Sequence, residues 1–137
     1  MSIELLFVEP QSWKHAGLPV VKVDGATYAV AEDDDAADFA AVDAVRDSFW
    51  AFRAEFIGSF LGISDVAIKA ISKMQGELCE DAQEIIELLL GDRRYEFVDA
   101  AIAADGRGHF LAPYDGEERD GEDVSPPLEG KLLYRLD

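Results

Sequence analysis

The chain is poor in most features that would announce a chemistry. It has a single cysteine, Cys79, so no intramolecular disulfide can close, which fits a reducing compartment. The opening MSIELLFVEPQSWKH has no basic n-region and only a short apolar run, which argues against a secretory signal. No apolar stretch approaches the roughly 18 residues of a membrane span. These absences lead us to expect a soluble, cytoplasmic protein. Basic residues are scarce too: 12 Lys and Arg stand against 29 Asp and Glu, for a formal net charge of −17. No basic cluster stands apart from that excess. Direct binding to DNA, RNA or an anionic membrane is therefore not expected, and a basic protein surface is the natural complement. Solubility, or a salt-loving source, would explain the same charge without any partner.

What is present suffices for a fold. At 137 residues and 49% apolar composition, the chain reads as one globular domain over 1–137, able to bury a core without covalent staples. A strand is expected over 1–8 and loop over 11–18. Two β-prone runs over 20–23 and 26–30 flank Asp24-Gly25, the dipeptide that a type I′ hairpin turn requires. An acidic run at 32–35 suits a helix N-terminus. It precedes a helix expected over 35–61, with Phe39, Val42, Val45, Phe49, Phe52, Phe56 and Phe60 on one face. A second helix starts after the N-cap Ser64, its buried side including Val66 and Met74, and ends at Gly76. A third runs over 77–90, burying Leu78, Ile85 and Leu89 among others, and ends at Gly91. A fourth covers 93–104 with Tyr95 turned inward. Residues 108–114 read as a strand that Pro113 marks as an edge, 115–129 as an exposed acidic loop and 131–136 as a closing strand. The fold class is α+β: a small antiparallel sheet drawn from both chain ends, packed on about four helices.

The segment GRGHFLAPYDGEE, residues 106–118, holds the most chemistry. Gly106-Arg107-Gly108 lacks the third glycine of a dinucleotide fingerprint and follows a helix instead of a strand. His109 has Asp115, Glu117 and Glu118 within reach in sequence, which sketches a metal-dependent enzyme, but the other histidine is the distant His15. A calcium loop begun at Asp115 would place Arg119 at the fifth position and Asp120 where glycine is needed. Cys79 has no C-x-x-C partner, and no serine lies in a G-x-S-x-G elbow. The residues point to no catalytic group, metal or cofactor, and the segment reads as a structural turn with exposed acids.

The acids themselves show order. Glu77, Glu80, Asp81, Glu84 and Glu87 recur every three or four residues along the third expected helix, one carboxylate per turn and about 5–6 Å apart. No basic residue interleaves them. Asp33, Asp34 and Asp35 before the first helix, and Glu117 and Glu118 in the tail, extend the candidate surface. Such a row has a pitch similar to the phosphates of a nucleic acid strand. The alternative is a solvated helix face.

Three stretches, FIGSFL at 56–61, LCEDAQEIIELL at 78–89 and above all DGRGHFLAPYDGEE at 105–118, with the short aromatic strand LLYRL behind them, resemble small uncharacterised proteins of phages, plasmids and similar mobile elements. The resemblance covers roughly the last eighty residues and carries no assigned activity. It implies context: small acidic proteins of such elements often bind host proteins, and several anti-CRISPR and antirestriction proteins imitate nucleic acid electrostatically. The expectation is a non-enzymatic inhibitor or modulator of a host nucleic-acid-binding complex. A structural or homo-oligomeric interaction module, using Trp13 or Trp50, is the alternative, and a metal-dependent enzyme centred on His109 the second.

Overall fold

The structure, a computed structural model, describes residues 3–5 and 14–137, with side chains from Ala16 onward. The chain divides into two compact units, one of residues 1–44 and 101–137, the other of residues 45–100.

The first unit is built on a sheet. Strands β1 (Ile3–Leu5) and β2 (Lys14–His15) both run antiparallel to β3 (Leu18–Val23). A two-residue turn follows in which Asp24 and Gly25 take φ of 50° and 86°, the positive pair that type I′ geometry demands. It returns the chain as β4 (Ala26–Ala31), with Val20 opposite Ala29. At the far end of the sequence, β5 (Glu118–Asp120) and β6 (Leu132–Arg135) complete a sheet of order β1-β3-β4-β6-β5, with β2 beside β3. The expected α+β class and a sheet drawn from both chain ends are thus observed.

Side chains alternate along each strand, and both faces of this sheet are covered. Ala29, Ala31 and Tyr134 pack with Ala37, Ala40 and Ala41 of helix α1 (Asp34–Arg46), and with Leu111. Val21, Val23, Tyr28, Val30 and Leu133 pack on the other side with Leu128. The sheet side of α1 is therefore a row of alanines. Phe39, expected inside, is 71% exposed, because a close helix-on-sheet contact leaves no room there for an aromatic ring.

Two elements of this unit depart from expectation. Residues 108–114 do not form a strand: helix α6 (Arg107–Leu111) takes the first part of the segment and a turn the rest. Its packing decides this, since Leu111 and Ala112 are buried in the alanine-rich core and override the local β-preference. Residues 115–129 are not a structureless loop either. They hold β5, the short helix α7 (Gly121–Val124) and a 3₁₀ turn over Pro126–Leu128. The turn folds back so closely that a Cβ on Gly121 would lie 1.8 Å from the Leu128 carbonyl oxygen. The expected strand over 1–8 is seen at Ile3–Leu5, and residues 1–2 and 6–8 lie outside the described residues. Within the expected loop over 11–18, the structure forms β2 and begins β3.

The second unit is helical and organised by one ring. Phe97, on helix α5 (Arg94–Asp105), has Phe49, Phe52, Phe56 and Phe60 around it at centroid distances of 5.1 to 5.5 Å. A continuous helix over 35–61 would spread Phe49 to Phe60 over about 16 Å, too far for all four to touch one ring. The chain instead breaks after α1, makes a 3₁₀ turn over Phe49–Ala51, and resumes as α2 (Ala54–Leu61). Two glutamines bond the backbone freed by the break. Gln83 Nε2 donates to the Arg46 carbonyl at 2.6 Å and its Oε1 accepts from Trp50 N–H at 3.1 Å. Gln75 Nε2 donates to the carbonyls of Trp50 and Phe52 at 3.1 and 2.6 Å.

Helix α3 (Asp65–Leu78) begins as expected, with Ser64 accepting from Ala67 N–H at 3.3 Å. It does not end at Gly76, which lies inside it. The reversal falls at Cys79, with φ 50° and ψ −123°. A 3₁₀ turn over Cys79–Asp81 leads into α4 (Ala82–Leu90), and Gly91 closes that helix. The single expected helix over 77–90 is thus two segments. Several residues expected inside stay out, among them Val66 on α3, Leu78, Ile85 and Leu89 near or on α4, and Tyr95 on α5. The core side of α4 is the narrower row Ala82, Ile86 and Leu90, spaced four apart.

Candidate functional site

In the first unit, the acids gather around one guanidinium. Gly106, with φ 84° and ψ 160°, sets the start of α6 and places Arg107 at its first position. Arg107 Nη1 donates to Asp38 Oδ1 at 3.0 Å and to the Asp34 carbonyl at 3.2 Å, and Nη2 donates to Asp34 Oδ1 at 3.0 Å. On its other side it engages Glu118 through two atoms, Nε at 2.9 Å and Nη2 at 3.0 Å. The planar fork of arginine, with its five donors, suits this many acceptors as a lysine does not. Burial by itself would lower the Arg107 pKa, but the bonds to Glu118, Asp34 and Asp38 outweigh it and hold the group above its ordinary value. From below, Tyr134, wholly buried, donates its hydroxyl to Glu118. That burial, and then the Glu118 carboxylate, push the phenol far above its normal range.

Gly108 makes this arrangement possible. A Cβ there would fall 2.6 Å from the Gly116 carbonyl oxygen and 2.8 Å from the Glu118 amide nitrogen, so the acidic tail can cross α6 only over a bare backbone. The tail is held locally as well. Asp115 accepts from Glu117 N–H at 3.1 Å and pairs with Arg119. Those contacts, the Glu117 amide first, keep the Asp115 carboxyl below its ordinary pKa. The segment 106–118 is therefore an organising element: it brings the acidic run at 32–38 and the acidic tail into one cluster.

The candidate residues sort accordingly. Asp34 and Glu118 meet at Arg107. Asp33 accepts from Ala36 N–H at 2.9 Å and caps α1. Asp35 and Glu117 are exposed and form no ion pair among the described residues. One guanidinium faces three carboxylates, so the cluster keeps an anionic surplus. Sequence reasoning did not find Asp38, Arg107 or Tyr134. The available signals were Asp38 four residues after Asp34, one helical turn on, and an arginine isolated between two glycines in an acidic chain.

In the second unit, the reversal at Cys79 separates the carboxylates expected on one helix. Glu77 lies on α3, Glu80 and Asp81 in the 3₁₀ turn, and Glu84 and Glu87 on α4. The regular one-per-turn row is corrected to a cluster at a corner between helices. Glu77, Glu80, Asp81 and Glu84 are exposed and make no ion pair among the described residues, whereas Glu87 is half-buried and accepts from Gln83 Nε2 at 3.0 Å. A cavity of about 40 Å³ lies between Glu87, Arg46, Arg94, Phe49, Tyr95 and Val98, enough for a few waters and far below the volume of an organic substrate site.

The remaining candidates carry less. His109 is exposed, with its ring edge-on to Phe110 at 4.9 Å. The side chain of His15, and all of Trp13, lie outside the described residues. Among the described residues no three His, Cys, Asp or Glu converge in a geometry that could hold a metal ion. Trp50 is half-buried, with its backbone engaged by Gln75 and Gln83. No described helix is long and apolar enough to cross a membrane. Comparison with protein-family models, curated proteins and solved structures finds no match to this chain.

Proposed function

We propose that this chain is a non-enzymatic acidic binding protein that occupies a basic surface on a protein partner, and so inhibits or modulates a nucleic-acid-binding complex. The observation that carries the reading is the Arg107 cluster, in which a buried tyrosine, a bare glycine and a three-carboxylate guanidinium hold two acidic segments in fixed register. A charge excess that served solubility alone would need no such scaffold. The first unit holds 18 acidic against 6 basic residues, a net charge of −12, and the second holds 11 against 6, a net charge of −5. Both units thus present the same sign to a partner. The resemblance of the 105–118 segment to mobile-element proteins is what suggests a host protein as that partner.

The test is capture of host nucleic-acid-binding proteins on the immobilised chain. Retention falls steeply with salt, because exposed charges are screened within about 8–10 Å at physiological ionic strength. Retained proteins are also displaced by duplex DNA. Two double variants, Asp35→Lys with Glu117→Lys and Glu80→Lys with Glu84→Lys, weaken retention while leaving the fold intact, since none of the four forms an ion pair among the described residues. Retention indifferent to salt and to both variants overturns the reading.

A further inference from the structure

Helix α4 is apolar on two sides. Ala82, Ile86 and Leu90 are buried, while Leu88 is 76%, Leu89 47% and Ile85 37% exposed. The exposed three are spaced i, i+3 and i+4, so they form one strip on the solvent side of the helix. Open leucine and isoleucine in a row on a helix that already has its core side filled mark a docking surface rather than unused packing. The surroundings say what docks there. Glu84 lies one turn before Leu88 on the same helix, and Asp81 ends the turn that leads into it, so carboxylates stand beside the strip and at its N-terminal end. Glu80 and Glu77 continue the negative charge at the α3–α4 corner.

A second copy of the chain fits this poorly. Two such strips laid together would bring like carboxylates face to face, between molecules each carrying −17. We infer that the outward face of α4 receives an amphipathic helix of the partner, whose apolar stripe covers Ile85, Leu88 and Leu89 and whose flanking Lys or Arg residues meet Glu84, Asp81 and Glu80. This is helix-against-helix recognition with apolar anchors supplying affinity and charges supplying orientation. It rests on the acidic-binding reading and gives that reading a partner chemistry.

Two synthetic peptides of identical composition test it: a Leu/Lys helix with leucines at i, i+3, i+4 and i+7, and a scrambled version with the same charge but no stripe. The striped peptide binds at least tenfold more tightly. The variant Leu88→Ser abolishes that advantage while keeping its helical circular dichroism, since Leu88 faces solvent. Hydrogen exchange in the complex shows new protection over 82–90. If both peptides bind equally and Leu88→Ser changes nothing, the docking face is wrong while the electrostatic reading stands. If neither binds at low salt, both fail. Concentration-dependent dimerisation in sedimentation that Leu88→Ser removes assigns the strip to a second copy and overturns the inference.

Discussion

Arg107 and Asp34, 73 positions apart in the sequence, meet at 3.0 Å. That contact, with the one from Arg107 to Glu118, joins acidic segments that have no local reason to be neighbours. It makes the cluster a consequence of the fold and exposes it to a single substitution.

Arg107→Ala removes the shared cation and leaves Glu118 charged above the buried Tyr134. The Arg107 side chain is only 18% exposed, whereas Asp34 and Asp38 are 81% and 64% exposed, so most of the loss falls on the Glu118 side. We expect destabilisation of about 1–3 kcal/mol in urea unfolding. Arg107→Lys recovers little of it, because an ammonium cannot reproduce the two-atom contact with Glu118. Equal stability of wild type and Arg107→Ala would show that the cluster is not a structural element.

Two glycines in similar helical surroundings answer oppositely to alanine. Gly108→Ala drives a Cβ against the backbone of 116–118, which cannot give way as a side chain could, and costs about 2 kcal/mol or more. Gly76→Ala meets nothing within 4 Å, and replaces a mid-helix glycine with the best helix former. It stabilises by roughly 0.5–1 kcal/mol. Thermal melts of the two variants side by side check the opposite signs.

The ends of α4 provide a further comparison. Cys79 holds φ 50° and ψ −123°, and Gly91 holds φ 55° and ψ −132°. The same backbone state is thus occupied once by a residue with a Cβ and once without. Cys79→Gly should relieve strain of about 1 kcal/mol and raise the melting temperature. Gly91→Ala should lower it by a similar amount. A drop for Cys79→Gly would mean that the cysteine side chain stabilises the turn by more than the strain costs.

Acid and alkali should separate two local interactions. The Asp115 carboxyl sits below its ordinary pKa when folded. Its contribution is thus present above the unfolded value of about 4 and is lost as pH falls through the folded one. The stability difference between wild type and Asp115→Asn should be constant near neutrality and close towards the acid end. Tyr134 runs the other way. Its pKa is raised by burial and Glu118, so its contribution is complete below about pH 10 and is lost as pH rises beyond it. In an absorbance titration one phenol should ionise only together with alkaline unfolding, and Tyr134→Phe should remove that step.

Local signals in the sequence settled several elements outright. Asp24-Gly25 admits φ > 0 at two successive positions, and the hairpin follows from it. Ser64 supplies an oxygen to the orphan amides of α3. The closing LLYRL alternates, and both its faces meet cores. The acidic composition alone set the sign of the net charge. These are properties that a few neighbouring residues, or the total charge, decide by themselves.

The tertiary structure decided the rest, because each remaining choice was between local preferences of similar strength. The stripe from Phe39 to Phe60 is as good for a straight helix as for a broken one until Phe97 offers a single ring for four others to surround. HFLAPY favours a strand until Leu111 and Ala112 find the alanine-rich core and Gly108 admits the tail across it. Carboxylates at helical spacing form a row only if one helix carries them, and the turn at Cys79 divides it. Which acids share a cation depends on where Arg107 lies relative to α1 and β5. That is set by contacts 11 to 73 positions away in the sequence, whose closure no local pattern encodes.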